Sequence, residues 1–128
     1  MQTGKISAIN QYFDANIHME KASEASLLSD QRQDEAVFAR IRGNVYGIFS
    51  SVFHTAVTQA DDPCRFFLEK LETIPANWQK ALHQADSCGD WKTAHLERIK
   101  LETAKKILND MQSILEVSHD GTRSNSAV

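Results

Sequence analysis

The stretch GNVYGIFSSVFHTAVTQA, residues 43–60, contains no Asp, Glu, Lys or Arg, and its reading decides the fold. Val45, Ile48, Phe49, Val52, Phe53, Ala56 and Val57 recur at spacings of three and four, the period of a helix rather than the period of two that a strand needs. The run approaches the length of a membrane span. However, Asn44, Ser50, Ser51, His54, Thr55, Thr58 and Gln59 would be costly against lipid, so it reads as a buried helix of a soluble bundle with no membrane partner.

Working outward, the same face continues through Val37, Phe38 and Ile41, so one long helix is expected over about 31–60. Asp30 followed by Gln33 resembles a capping box at its start. The apolar set is too broad for a surface helix with one narrow stripe, which puts this helix near the middle of the fold. Upstream, Ile6, Ile9, Phe13 and Ile17 define a first helix at about 4–22. The serine-rich segment Ser23–Ser29 reads as a connection whose Leu27 and Leu28 tuck into the core, or as a stretch into which the first helix continues partway.

Downstream, Asp61-Asp62-Pro63 ends the long helix, and Pro63 suits a first helical position because its missing N–H would be unpaired there anyway. A third helix at about 63–72 carries Phe66, Phe67, Leu68 and Leu71. Ile74-Pro75 then interrupts and restarts a segment at about 75–87, so the third rod is expected to be broken there. Gly89 is placed to stop that segment in a left-handed conformation, and Asp90 to cap a last helix over about 90–118. Residues 119–128 are polar and small, which predicts a disordered tail after a single domain at 1–118. At about 1.5 Å per residue the long helices span roughly 40–45 Å. Four such rods with short connections make an all-α, antiparallel up-down four-helix bundle.

Composition narrows the functional classes. A chain of 128 residues fits one domain, and its 14 Lys and Arg are spread along it against 17 Asp and Glu, for a net charge of −3. Nucleic acid is therefore not the expected partner, since phosphate binding draws on massed positive charge. Cys64 and Cys88 do not make a secreted disulfide framework, and Met1–Ile9 has no apolar signal segment. Reduced thiols in the cytoplasm are expected.

Catalytic signatures are missing. There is no glycine-rich phosphate loop, nucleophile elbow or Cys-x-x-Cys pair, so no catalytic residue and no cofactor is assigned. A di-iron bundle needs Glu-x-x-His on two helices, whereas only Glu116 and His119 have that spacing; Asp14 and His18 stand four apart as an ordinary helical polar pair. No metal site is assigned. His54 lies inside the apolar run, which makes it a hydrogen-bonded core histidine or, with Tyr46, Trp78 and Trp91, the lining of a small-molecule or metal-binding cavity. Trp78 and Trp91, on either side of the Gly89 turn, otherwise anchor that helix corner.

Ala94-His95-Leu96 resembles the alanine-histidine pair of helical bundles that carry phosphate on an exposed histidine, which would imply a phosphocarrier using His95. Those domains follow the pair with lysine and a small residue, whereas Glu97, Arg98 and Ile99 follow here.

The last feature is a ridge of small residues. Ala39, Gly43, Gly47, Ser51 and Thr55 stand four apart, and a helical glycine costs about 1 kcal/mol relative to alanine, so two of them call for a close helix contact. That contact is expected within the bundle, with self-association as the other reading. Together these features predict a non-enzymatic bundle acting through protein association, as an adaptor or regulator and as a homodimer.

Overall fold

A computed structural model describes residues 1–127, with side chains described through residue 115. It contains four helices: α1 (Thr3–Ser29), α2 (Gln33–Gln59), α3 (Pro63–Ser87) and α4 (Trp91–Ala127). No strand occurs among the described residues. Each connection is three residues long, so successive helices fold back on one another in an antiparallel up-down bundle. The expected tail at 119–128 and the Glu116 and His119 side chains lie outside the residues whose side chains are described.

The central position expected for α2 is what the packing shows. It contacts all three other helices, as α4 also does, and it supplies more of the buried core than any other helix, whereas α1 touches α4 only sparsely. Ile9 and Phe13 of α1, Val45, Phe49, Phe53 and Ala56 of α2, Phe67 and Leu71 of α3, and Ile107 and Met111 of α4 form one buried cluster. Burying each large member stabilises the fold by about 1.5–3 kcal/mol. Phe67 is gripped edge-on by two rings, Phe53 at 5.1 Å and Phe13 at 6.2 Å between centroids, which ties α3 to both α2 and α1.

Two of the three connections share one mechanism. At the end of α3, Gly89 has φ 72, its N–H donates to the Asp86 carbonyl at 3.2 Å, and the Asp90 N–H donates to the Ala85 carbonyl at 2.9 Å. This is a Schellman turn. Asp90 then caps α4 by accepting from the Thr93 N–H at 3.2 Å, and Asp62 caps α3 in the same way from the Arg65 N–H at 3.2 Å, with Pro63 in the first helical turn.

The α1–α2 connection corrects the sequence reading. Asp30 is the C-cap of α1 and not the start of a capping box, and α2 begins after Arg32 with no side-chain cap. Arg32 N–H donates to the Leu27 carbonyl at 2.9 Å and Gln31 N–H to the Leu28 carbonyl at 3.1 Å, with Gln31 at φ 62. The turn is thus a second Schellman closure, built on a glutamine where glycine is the usual occupant. Helix α1 reaches Ser29 because Ser23–Ser29 holds neither Gly nor Pro, and polarity alone does not break a helix. Leu27 is half-buried, but Leu28 stays 52% exposed instead of tucking in.

The third rod is also different from expectation. α3 runs through Pro75 as one helix. Phe67 and Leu71 before the proline, and Trp78 and Ala85 after it, all pack into the bundle, so burial on both sides holds the helix together across the lost hydrogen bond.

Candidate functional site

The up-down order brings the turns at 30–32 and 88–90 to one end of the bundle, where α2 and α4 both begin. Asp34, Val37 and Phe38 share one face of α2, and Trp91, Lys92, His95 and Leu96 share one face of α4. Together they line a groove of about 400 Å³ between the two helix starts. Phe38 of α2 and His95 of α4 meet edge-on in its lining, with centroids 4.9 Å apart and planes at 82°. Trp91 is 78% exposed. It follows the capping Asp90 directly, as the first residue of α4, so the turn that fixes the helix start leaves the indole on the groove's rim.

The groove's polar groups are one acid, one base and one imidazole. Neither Asp34 nor Lys92 forms an ion pair among the described residues. The arrangement can seat an apolar side chain between polar margins. No group of three or more side chains able to hold a metal occurs among the described residues, and no described helix is long and apolar enough to cross a membrane.

The four residues expected around one cavity are not brought together. His54 is exposed: with Phe53 and Ala56 turned into the core, the next position along the helix points outward. Tyr46 is 2% exposed and stands edge-on to Tyr12, with centroids 6.1 Å apart. Trp78 is half-buried against Phe49, 6.2 Å away, with the Lys100 ammonium 6.0 Å from its ring. Only Trp91 reaches the groove, and at 78% exposure it does not anchor the Gly89 corner. His95 is exposed as the phosphocarrier reading requires, but the charged groups lining its groove are one lysine and one aspartate rather than a basic surface.

The small-residue ridge divides in two. Ala39 is buried, and Gly43 lies against Glu20 of α1. Beyond it a β-carbon at Gly47 would meet nothing within 4 Å, and Ser51 is exposed. Helix α1 therefore takes the first half of the ridge, and the second half opens outward.

A polar cluster lies toward the opposite end. The Tyr12 hydroxyl donates to Asp110 Oδ2 at 2.6 Å, and the Lys106 ammonium donates to the same oxygen at 2.7 Å. Burial, and then this bond to Asp110, hold the Tyr12 hydroxyl well above the usual tyrosine range. The bond to Asp110 raises Lys106, while hydrogen bonds from Thr93 lower Asp90. These groups are bonded to one another, which suits a structural tie between α1 and α4.

Sequence reasoning missed Asp34, Lys92 and Leu96 as groove residues and placed Val37 and Phe38 in the core. The available signal was positional: a tryptophan directly after a helix cap, beside a histidine four residues on, marks an aromatic helix start. Comparison of the chain with known protein families, with curated proteins and with solved structures returns no match.

Proposed function

We propose that this protein is a non-enzymatic helical bundle that acts through protein association, as a homodimeric adaptor or regulator, with the Trp91 end as its contact surface. The observation that carries this reading is the exposed Trp91 on the rim of an apolar groove. Contact surfaces are enriched in tryptophan, and a large exposed aromatic beside a pocket is the usual form of an association hot spot. Two polar clusters elsewhere are engaged in structural pairs: Arg42 Nε donates to both Glu20 carboxylate oxygens at 3.1 Å, and Tyr12 and Lys106 share Asp110. Both cysteines are free, which fits a reducing, cytoplasmic setting, and the dispersed charge argues against nucleic acid as a partner.

Sedimentation velocity across a wide concentration range tests this reading. The expected result is a weight-average mass that rises from monomer toward dimer. A constant monomer mass up to the highest soluble concentration overturns the homodimeric reading.

A further inference from the structure

We infer that two copies of this chain dock end to end about a two-fold axis, each Trp91 entering the Phe38–His95 groove of the other, an inference that rests on the association reading above. The plug and the socket lie on the same surface. Trp91 forms one wall of the groove and cannot also fill it, whereas an identical surface turned through half a revolution offers an indole to each groove. That is the defining property of an isologous contact, in which residue i meets j and j meets i.

The charges fit the same symmetry. Asp34 and Lys92 both line the groove, and neither has an ion-pair partner among the described residues. Across a two-fold axis, Asp34 faces Lys92 of the partner subunit, and the same pair forms a second time. The lining itself carries one acid and one base, and a second copy finds both of these charges matched. The turn geometry supports the contact too. The two helix starts are held by closures fixed at Gly89 and Gln31, so the groove is preformed and little ordering is needed on docking.

The interface is small. A buried tryptophan brings about 150–250 Å². Two of them with the surfaces they cover fall short of the roughly 1,200–2,000 Å² of a stable complex, so the dimer is weak and reversible.

Charge reversal tests the pairing. Sedimentation equilibrium is run on the parent, on Asp34→Lys, on Lys92→Asp and on an equal mixture of the two variants, with circular dichroism to confirm that each is helical. Each reversal alone sets like charges opposite one another twice and is expected to weaken dimerisation by at least about tenfold, which is roughly 1.4 kcal/mol. In the mixture, each heterodimer regains both opposite-charge pairs, and association returns toward the parental level. Trp91→Ala, at a position that carries no core contact, is expected to weaken dimerisation by a similar factor or more. A dimeric parent whose association is unchanged by Trp91→Ala and by both reversals overturns this geometry and leaves the association reading standing. Weakening in both reversals without recovery in the mixture overturns the two-fold pairing. A parent that stays monomeric overturns the homodimeric reading itself, and this geometry with it.

Discussion

Gly43 of α2 lies directly on Glu20 of α1: a β-carbon at position 43 would stand 3.4 Å from the Glu20 β-carbon. The closeness has a second consequence one residue away. Glu20, only 7% exposed, comes within reach of Arg42, whose Nε donates to both carboxylate oxygens at 3.1 Å. A small residue and a largely buried ion pair thus lie side by side, where α1 and α2 come close enough to leave room for little more than a β-carbon at position 43.

Gly43→Leu is expected to push α1 away, separate Glu20 from Arg42 and lower stability by about 1–3 kcal/mol, the usual cost of overpacking. Gly47→Ala enters open space and is expected to stabilise α2 by up to about 1 kcal/mol through helix propensity. Urea unfolding of both variants checks the contrast. Equal effects at the two glycines would show that the ridge does not divide between them.

The two Schellman turns allow a paired test. Gln31 at φ 62 and Gly89 at φ 72 occupy equivalent positions, but only glycine takes that conformation without strain. Gln31→Gly is expected to gain up to about 1 kcal/mol, and Gly89→Ala to lose about 1 kcal/mol. Melting temperatures should move in opposite directions. A fall with Gln31→Gly would mean that the glutamine side chain contributes more than its backbone strain costs.

These turns also show what the sequence could and could not disclose. Gly89 and Asp90 were legible because glycine is the common left-handed stop and aspartate the common cap, so residue type and structural role coincide there. Gln31 was not, since nothing in its chemistry signals a positive φ, and Asp30 followed by Gln33 offered a local pattern that the tertiary turn overrode. The helix count and the central α2 were legible because they depend on periodicity over many residues. The groove was not, because it depends on which faces of α2 and α4 meet at one end, and the sequence periodicity that buries Ala36 and Ala94 does not say which neighbouring positions stay open.

Tyr12 gives a pH prediction with a definite sign. Its folded pKa is raised above the unfolded value near 10, so the neutral hydroxyl contributes stability that is fully present below about pH 10 and lost as pH rises beyond it. Lys106, also raised, has the same sign. Absorbance titration of tyrosinate is expected to show Tyr12 ionising only as the fold is lost. Tyr12→Phe should lower stability at neutral pH by about 1 kcal/mol and flatten the alkaline decline. A variant with the parent's alkaline profile would place that decline elsewhere.

Lys5 ties the start of α1 to α4. Its ammonium donates to the carbonyls of Ile114 and Leu115, each at 2.7 Å, where the two helices otherwise touch sparsely. Lys5→Met keeps the unbranched apolar stem and removes the charge-assisted bonds, with an expected loss of about 1 kcal/mol. Hydrogen exchange should rise first in the opening turns of α1. An unchanged exchange pattern would show that the tie adds nothing to what packing already supplies.

Pro75 lies inside α3 without ending it, and this sets two effects against each other. Proline has no N–H to offer the Leu71 carbonyl, and its ring crowds that carbonyl, at a cost of about 3 kcal/mol in a helix interior. It also stiffens the unfolded chain, which returns about 0.4–1 kcal/mol. On these terms Pro75→Ala restores one hydrogen bond and is expected to raise stability by about 2 kcal/mol. The opposite result has a structural meaning. Trp78, three residues on, meets Phe49 edge-on with centroids 6.2 Å apart and planes at 78°. If the proline bends α3 so as to bring that indole onto α2, alanine straightens the helix and loosens the contact, and stability falls instead. Urea midpoints give the sign, and Trp78 fluorescence in a Trp91→Phe background reports whether the indole has moved toward solvent. A stabilised variant with unchanged Trp78 emission would establish that α3 holds its course through burial alone.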